Sequence, residues 1–325
     1  MSKVIITGAA GFIGYHMAVR LCADGHDVHG MDNLNDYYDV SLKDARLAQL
    51  EPLANFTFTK CDLADREAVT ALFESAQPEI VIHLGAQAGV RYSLENPHAY
   101  IDSNVTGTLN ILEGCRAFDV KHLLYASSSS VYGANTKTPF AISDNVDNPV
   151  SLYAATKKSN ELMAHSYAHL YGIPTTGLRF FTVYGPWGRP DMAYFKFANA
   201  MQAGRAIDVY NHGDMRRDFT YIDDIIEAIA RLIPLKPEAA DGKPPYALYN
   251  IGGEQPEQLM DLISLLVAEL GIEAQKNMLP MQAGDVYETY ADASALSAAV
   301  GFAPQITLKD GIARFVDWYL EYYDA

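Results

Sequence analysis

Short apolar runs alternate with longer amphipathic segments through the first half of the chain. The apolar runs end in polar or glycine-containing turns, which indicates buried strands. The predicted strands are residues 4–7, 26–31, 56–60, 80–84 and 122–126, and the predicted helices between them are residues 12–24, 65–75 and 106–118. Strands that alternate with helices of this length form βαβ units with right-handed crossovers. The pattern therefore predicts an α/β fold with a doubly wound parallel sheet.

The pattern loosens after about residue 180, where prolines divide the chain into shorter elements. The helices predicted in this part are residues 195–203, 223–232, 258–270 and 311–322. This change predicts a boundary between a larger domain, residues 1–180, and a smaller C-terminal α/β domain, residues 181–325. Some segments are expected to be interleaved between the two domains. The smaller domain is the expected place for substrate binding.

A glycine-rich loop, Gly8-x-x-Gly11-x-x-Gly14, joins the first predicted strand to the first predicted helix. In a dinucleotide-binding loop the first glycine permits a tight turn and the second lets the pyrophosphate approach the backbone. The third lets the helix pack closely on the strand. The N-terminus of the helix attracts anions. We therefore expect Gly8, Gly11, Phe12, Ile13 and Gly14 to bind a dinucleotide within a Rossmann-type domain.

Two acidic residues follow the next predicted strands. Asp32 ends the second strand, where a carboxylate accepts hydrogen bonds from ribose hydroxyls and repels a 2′-phosphate. This residue therefore favours NAD over NADP. Asp62 follows the third strand and is expected to lie near the adenine, with a turn or helix-capping role as the alternative.

Tyr153 and Lys157 are spaced i,i+4 in a segment with helical character, so their side chains share one helix face. A free tyrosine has a pKa near ~10, and a neighbouring ammonium lowers that pKa because it stabilises the phenolate. Such a tyrosine can take a proton from a sugar hydroxyl. Four serines at residues 127–130 follow the fifth predicted strand. A hydroxyl there, which we assign to Ser128, can share the substrate proton.

These motifs resemble those of the extended short-chain dehydrogenase/reductase family. The resemblance rests on the glycine loop, on Ser130-Val131-Tyr132-Gly133, on Tyr153-x-x-x-Lys157, on Arg179-Phe180-Phe181 and on Gly213-x-x-x-Arg217-Asp218-Phe219. It implies an NAD-binding domain followed by a nucleotide-sugar-binding domain, and a tightly held NAD. It also implies a homodimer packed through a four-helix bundle, with helices near residues 106–118 and 153–171.

The resemblance also implies further contacts to the cofactor beyond the glycine loop and Asp32. These expected contacts come from Asn33, Lys43, Asp62, Leu63, Leu84, Gly85, Ala86, Asn104, Tyr153 and Lys157. Asn104 is expected on the nicotinamide side, and helix capping is the alternative role for this residue.

The serine run distinguishes between reactions of the family. Members that dehydrate hexoses or decarboxylate glucuronate carry an extra acid where this chain has Ser129 and Ser130. Inversion at C4 through a 4-keto intermediate needs only the tyrosine, the hydroxyl and NAD. Residues 32–43 and 182–193 look like those of UDP-glucuronate 4-epimerases, which interconvert UDP-glucuronate and UDP-galacturonate. A UDP-glucose or UDP-N-acetylhexosamine 4-epimerase and a UDP-glucuronate decarboxylase are the alternatives.

A sugar carboxylate on C5 would need polar partners. We expect Ser129, Ser130, Thr182 and Arg189 to hold it, because arginine offers such a group a bidentate fork. A loop role, with contacts to solvent or to the diphosphate, is the alternative for Arg189.

Two further residues are expected to contact the nucleotide part of the substrate. Arg217 matches the diphosphate-contacting arginine of the family, with a salt bridge to Asp218 or Asp214 as the alternative. Asp285 is expected to meet the uridine ribose, with a plain turn as the alternative. UDP-glucose 4-epimerases usually have Arg where this chain has Gln282, so their diphosphate contacts do not transfer to Gln282.

Composition excludes several other functions. The formal net charge is −16 and no Lys/Arg-rich block occurs, so a nucleic-acid partner is not expected. The chain lacks the ~20-residue apolar run of a membrane span and the features of a signal peptide. Three widely spaced cysteines without a CxxC pair favour buried free thiols over disulfides or a metal site. We therefore expect a cytoplasmic enzyme without a metal.

Two interpretations other than an epimerase are open from the sequence. One is an NAD-binding sensor that has lost catalysis, and the intact Tyr153/Lys157 pair argues against it. The other is a net oxidoreductase that releases NADH. That enzyme would change the NADH absorbance during turnover, whereas an epimerase recycles its cofactor.

Overall fold

The computed structural model describes residues 1–281 and 286–323. The chain divides into two compact units. Unit 1 comprises Met1–Asn135, Ile142–Phe180 and Ile226–Tyr249, and unit 2 comprises Thr136–Ala141, Phe181–Ile225 and Asn250–Ala325. Both units are therefore built from segments that are separate in the sequence.

The secondary structure alternates strands and helices throughout unit 1. In chain order the strands are β1 (Lys3–Thr7), β2 (Asp27–Asp32), β3 (Phe56–Lys60), β4 (Ile80–His83), β5 (His122–Ser128), β6 (Thr175–Phe180), β7 (Thr182–Tyr184), β8 (Ile207–Val209), β9 (Arg216–Tyr221), β10 (Tyr246–Ile251), β11 (Pro256–Gln258) and β12 (Lys276–Met278). The α-helices are α1 (Phe12–Ala23), α2 (Val40–Leu50), α3 (Arg66–Ala76), α4 (Tyr92–Glu95), α5 (Pro97–Tyr100), α6 (Gly107–Ala117), α7 (Leu152–Tyr171), α8 (Ala193–Gln202), α9 (Ile222–Leu232), α10 (Leu259–Leu270), α11 (Ser294–Val300) and α12 (Leu308–Tyr323). A π-helical turn at Ile101–Thr106 and a 3-10 turn at Ser129–Tyr132 lie next to α6 and β5.

The main sheet has the strand order β10-β6-β5-β4-β1-β2-β3. The pairs from β3 through β6 are all parallel. The strand order reverses between β1 and β4, and ligands of doubly wound folds bind beyond the carboxyl ends of the strands at such a reversal. The predicted fold class, a doubly wound parallel sheet of the Rossmann type, is confirmed.

The core of unit 1 explains why its strands read as continuous apolar runs. Ile5 in β1 and Val81 in β4 are completely buried, as are Phe73 in α3 and Ile111 in α6. Parallel strands are covered by helices on both faces, so both faces need apolar side chains. Each such side chain stabilises the fold by about 1.5–3 kcal/mol relative to an exposed one.

The described residues of unit 2 form two small sheets and a group of helices. The order of the three-stranded sheet is β11-β9-β7, with β9 antiparallel to β11 and parallel to β7. Strands β8 and β12 pair in parallel. Helix α10 packs against α8 and α12, and the rings of Phe195 in α8 and Phe315 in α12 lie 5.6 Å apart between centroids.

The structure departs from the predicted elements at two places that border the candidate site. Helix α2, at Val40–Leu50, was not among the predicted elements. The helix predicted at residues 106–118 is preceded by the π-helical turn Ile101–Thr106, and α6 itself starts at Gly107. Such turns occur mostly as local insertions in helices, frequently at functional sites.

The structure bears on the predictions made for the cysteines and for membrane spans. The three cysteines are buried free thiols, as predicted. Within residues 1–281 and 286–323, each helix is too short or too polar to traverse a bilayer.

Candidate active site

The glycine loop has the backbone geometry that a pyrophosphate needs. Gly8 has φ of +74°, and its N–H donates to the Met31 carbonyl at 2.7 Å. A Cβ atom on Gly14 would lie 2.0 Å from the Gly8 carbonyl oxygen, so only glycine fits there. Gly11 precedes α1 and has no side chain to cap it. The N–H groups of the first turn of α1 therefore suit a dinucleotide phosphate.

Asp32 and Asp62 stand at the ends of neighbouring strands but have different environments. Asp32 ends β2, and its Oδ1 accepts the Leu34 N–H at 2.9 Å. The carboxylate keeps further acceptor capacity for ribose hydroxyls. Asp62 forms a turn, because its Oδ1 accepts the Ala64 N–H and its Oδ2 accepts the Asn33 amide, each at 2.8 Å. The turn role expected as the alternative is thus present, and the bond from Asn33 links this turn to the segment after β2.

Helix α2 brings two buried cations to the same end of the sheet. Lys43 donates through Nζ to the Asn35 carbonyl at 2.7 Å, and its ammonium lies over the Tyr38 ring. Burial lowers the pKa of Lys43, and the nearby Asp32 carboxylate opposes that shift. Arg46 is completely buried and donates through Nη1 to the carbonyl of Ala10, within the glycine loop, at 2.8 Å.

Arg46 was missed in the sequence analysis, although it lies one helical turn after Lys43. Its bond to Ala10 joins α2 to the glycine loop. The signal that could have found Arg46 is its i,i+3 spacing from Lys43 in the segment that follows β2, because residues with this spacing share one helix face.

Asn104 holds the loop that follows β4, which contains Leu84, Gly85 and Ala86. Its Oδ1 accepts the Gln87 N–H at 2.7 Å, and its Nδ2 donates to the Gln87 carbonyl at 3.0 Å and to Thr156 Oγ1 at 3.1 Å. The capping role is wrong, since Asn104 lies inside the π-helical turn. Gly85 donates its N–H to Thr7 Oγ1 at 2.9 Å, which fixes the loop against β1.

Tyr153 and Lys157 lie in the first turns of α7, which is capped by Ser151 through a bond from the Ala154 N–H. The Tyr153 ring packs edge-on against Tyr100, with centroids 6.0 Å apart. Lys157 is buried and donates from Nζ to the Ala126 carbonyl of β5 at 2.9 Å. Burial lowers the pKa of Lys157 to about 8, so this ammonium gives up a proton more readily than a surface lysine.

The serines of the run differ in their partners. Ser127 is buried and donates to Glu161 Oε1 at 2.7 Å, so its hydroxyl faces the protein interior. Ser128 is half-buried, and its Oγ accepts the N–H of Ser130 at 3.2 Å and the hydroxyl of Ser130 at 2.9 Å. A hydroxyl that already accepts two bonds can direct its own proton toward a ligand. Ser129 and Ser130 are also half-buried in the 3-10 turn.

The residues expected to bind substrate in unit 2 are engaged with protein groups. Thr182 is half-buried in β7 and pairs with Phe219. Arg189 forms a fork with Asp191, with Nε–Oδ1 at 3.0 Å and Nη2–Oδ2 at 2.5 Å. Arg217 donates through Nη1 to the Arg216 and Tyr287 carbonyls. The expected ribose contact, Asp285, lies outside the described residues.

Asp218, named as an alternative partner of Arg217, has another role. It is completely buried, and its carboxylate accepts the N–H groups of Gly253, Glu254 and Ala291 at 2.7, 3.2 and 2.9 Å. Burial raises the pKa of Asp218 to about 6, against the effect of these three bonds. Asp218 therefore joins three segments of unit 2.

Comparisons with known proteins agree with this arrangement. The model of the NAD dependent epimerase/dehydratase family matches residues 4–252. A probable UDP-glucuronate 4-epimerase of Rhizobium meliloti is 52% identical, with 99% of this chain and 98% of the relative covered. UDP-glucuronate 4-epimerase 4 of Arabidopsis thaliana is 45% identical over 99% of this chain and 76% of the plant protein. The crystal structure of a Bacillus cereus UDP-glucuronic acid 4-epimerase in complex with UDP-glucuronic acid and NAD matches with a TM-score of 0.90 and 32% identity, covering 99% of this chain and 100% of that one.

Proposed function

Since this chain belongs to the NAD dependent epimerase/dehydratase family, we propose that it is a UDP-glucuronate 4-epimerase that interconverts UDP-glucuronate and UDP-galacturonate. The observation that carries the proposal is the site formed by β5 and α7. Lys157, one turn after Tyr153, is bonded to the strand that ends at Ser128. Ser129 and Ser130 stand where elimination or decarboxylation would need an acid.

Tyr153, Lys157 and Ser128 have different roles in the proton transfer at C4 of the sugar. Tyr153 takes the proton of the C4 hydroxyl and returns a proton after the ketone has presented its other face. Lys157 stabilises the phenolate through its positive charge. The Ser128 hydroxyl donates a hydrogen bond to the C4 oxygen and keeps its proton, because its own oxygen already accepts hydrogen bonds from Ser130. NAD, the cofactor of this family, supplies a reversible two-electron oxidation of C4.

The carboxylate on C5 places a special demand on this site. A 4-keto derivative of a glucuronate is a β-keto acid, and it loses carbon dioxide unless the carboxylate is restrained. We assign this restraint to Ser129, Ser130, Thr182 and Arg189. The Arg189 guanidinium forms an ion pair with Asp191. A sugar carboxylate would therefore have to replace Asp191 or share Arg189 with it. This exchange would favour acidic over neutral sugars.

Replacing Arg189 with Ala is expected to lower kcat/KM for UDP-glucuronate by about 10- to 100-fold, the usual cost of a lost hydrogen bond to a charged group. A pentose product with carbon dioxide should appear as well, because the 4-keto acid is then less restrained. The measurement is chromatography of the sugar nucleotides. The exposed Arg205→Ala variant of the same unit is the control and should behave as wild type. Normal turnover of Arg189→Ala without pentose would show that Arg189 has no such role.

The faces of α6 and α7 support a homodimer as part of the proposal. Leu109 in α6 and Leu162 and Leu170 in α7 are 41%, 58% and 66% exposed. Exposed apolar side chains grouped on two helices are typical of a protein interface, and the expected four-helix bundle would cover them with a second copy. Sedimentation velocity should give twice the 35.7 kDa mass of the chain. A stable monomer at micromolar concentration would refute the dimer.

The choice of substrate is tested by competition. We would offer the purified protein UDP-glucuronate, UDP-glucose and UDP-N-acetylglucosamine and compare the kcat/KM values. UDP-glucuronate is expected to have the highest value, with UDP-galacturonate as its product. A higher value for UDP-glucose would assign the chain to the neutral-sugar 4-epimerases, and a pentose as the main product would make it a decarboxylase.

A further inference from the structure

A buried ion pair lies directly behind the serine run. Glu161 of α7 and Arg179 of β6 are 3% and 2% exposed. Their contact is bidentate, with Nε–Oε1 at 2.8 Å and Nη2–Oε2 at 2.9 Å. Glu161 Oε1 also accepts the hydroxyl of Ser127 at 2.7 Å. One carboxylate thus joins a helix to two neighbouring strands.

The same arginine reaches the turn that carries the next serines. The Arg179 guanidinium lies over the Tyr132 ring, 4.9 Å from its centroid, and Tyr132 ends the 3-10 turn that begins at Ser129. Arg179 is also paired in register with Ser127 across the sheet. The ion pair therefore contacts both sides of Ser128, through the residue before it and through the turn after it.

Helix α7 fixes the end of β5 at two consecutive residues. Lys157 bonds the carbonyl of Ala126, and Glu161, one helical turn later, bonds the hydroxyl of Ser127. Ser128 is the next residue along the strand. Tyr153 is one turn before Lys157 on the same helix face. The position of Ser128 relative to Tyr153 is thus set by the two bonds from α7 to β5.

Stability alone does not explain a buried pair at this place. The desolvation of two charges offsets most of their attraction, and apolar residues of similar volume often stabilise a core as well or better. Apolar residues, however, would not direct the Ser127 hydroxyl or hold the guanidinium against the Tyr132 ring. Fixed geometry is what the charged pair adds.

We propose that Glu161, together with Arg179, is a positioning residue for the reaction, which holds the end of β5 so that the Ser128 hydroxyl and Tyr153 meet the same sugar oxygen. The inference rests on the proposed function. Neither side chain touches the substrate, so substrate affinity should be nearly independent of them. The catalytic step should depend on them strongly, because a misplacement of about 1 Å can cost about 10²-fold in rate.

The test uses a variant that removes both charges. Glu161→Gln alone leaves Arg179 buried without its carboxylate and risks unfolding, so the double variant Glu161→Met/Arg179→Met is the decisive one. We expect it to keep its NAD and a melting temperature near that of wild type. For UDP-glucuronate we expect kcat to fall by about 10- to 100-fold and KM to change by less than about threefold. Ser127→Ala, which cuts one link only, should show a smaller fall in kcat.

The control is Glu79→Gln, which breaks the exposed ion pair with Lys121 and should leave all values unchanged. A double variant that retains wild-type kcat would overturn the inference and leave the proposed function standing. A rise in KM with unchanged kcat would also overturn the inference, because it would show that the ion pair contributes to substrate binding. Failure of the wild type to convert any UDP-sugar would overturn the proposed function, and the inference with it.

Discussion

Replacement of Tyr153 by Phe is expected to lower kcat by about 10³-fold, within the range usual for the loss of a general base. The variant loses only the phenolic hydroxyl, because a phenylalanine ring can keep the edge-on contact with Tyr100. The fold should therefore be that of wild type. The measurement is kcat for UDP-glucuronate beside the absorbance of the protein-bound cofactor.

Tyr171→Phe is the matched control for Tyr153→Phe. Tyr171 ends the same helix and is 46% exposed, far along the chain from the serine run. Its replacement should leave kcat unchanged. If Tyr153→Phe kept more than about a tenth of the wild-type rate, a proton acceptor other than Tyr153 would carry the reaction.

Replacement of Gly14 by Ala is expected to have the largest effect on cofactor binding. The added Cβ would lie 2.0 Å from the Gly8 carbonyl oxygen and 2.7 Å from the Gly8 carbonyl carbon. The backbone of the loop must shift, since no flexible side chain can move aside. We expect the free energy of unfolding to fall by about 3 kcal/mol, at the upper end of overpacking effects. The NAD retained on purification should fall by about tenfold, which equals about 1.4 kcal/mol of binding.

Gly25→Ala separates this steric effect from a general intolerance of glycine replacement. Gly25 has φ of +82° but open space where its Cβ would stand. Its replacement should cost about 1–2 kcal/mol from the left-handed conformation alone, with NAD retention unchanged. Equal loss of NAD in both variants would mean that the contact between Gly14 and Gly8 is not what shapes the loop.

The features that were predicted correctly depend on residues close together in sequence. The α/β fold follows from short apolar runs that alternate with helical ones, and the family assignment follows from motifs such as Gly8-x-x-Gly11-x-x-Gly14 and Tyr153-x-x-x-Lys157. Each of these motifs lies within one turn or one helix, where spacing alone decides which side chains share a face. Both predictions are confirmed.

The features that were missed depend on contacts between distant segments. Arg46 bonds Ala10, which is 36 residues away, and Glu161 bonds Ser127, which is 34 residues away. A charged residue is normally assigned to the surface, because burial is unfavourable unless a partner is present. The partner becomes apparent only when the strands and helices are assembled. For Asn104 the sequence left a nicotinamide contact and helix capping open, and it gave no sign of the partners Gln87 and Thr156.

The substrate residues were predicted from stretches of sequence, without knowledge of their partners in the fold. Thr182 and Arg189 were chosen from stretches that look like UDP-glucuronate 4-epimerases, and their assignment to the sugar carboxylate is a proposal. The structure adds that Arg189 already has an acidic partner in Asp191. Charge selection at this position would then be a competition between two carboxylates for one guanidinium. The sequence alone did not suggest that competition.

The proposed epimerase activity is tested most directly by incubation of the purified protein with UDP-glucuronate without added NAD. Products are followed by proton NMR, and free NADH by its absorbance. We expect UDP-galacturonate at a stable equilibrium ratio without accumulation of free NADH, because the cofactor is regenerated in every turnover. Release of NADH in proportion to product, or bound NAD with no conversion of any UDP-sugar, would contradict the proposed activity.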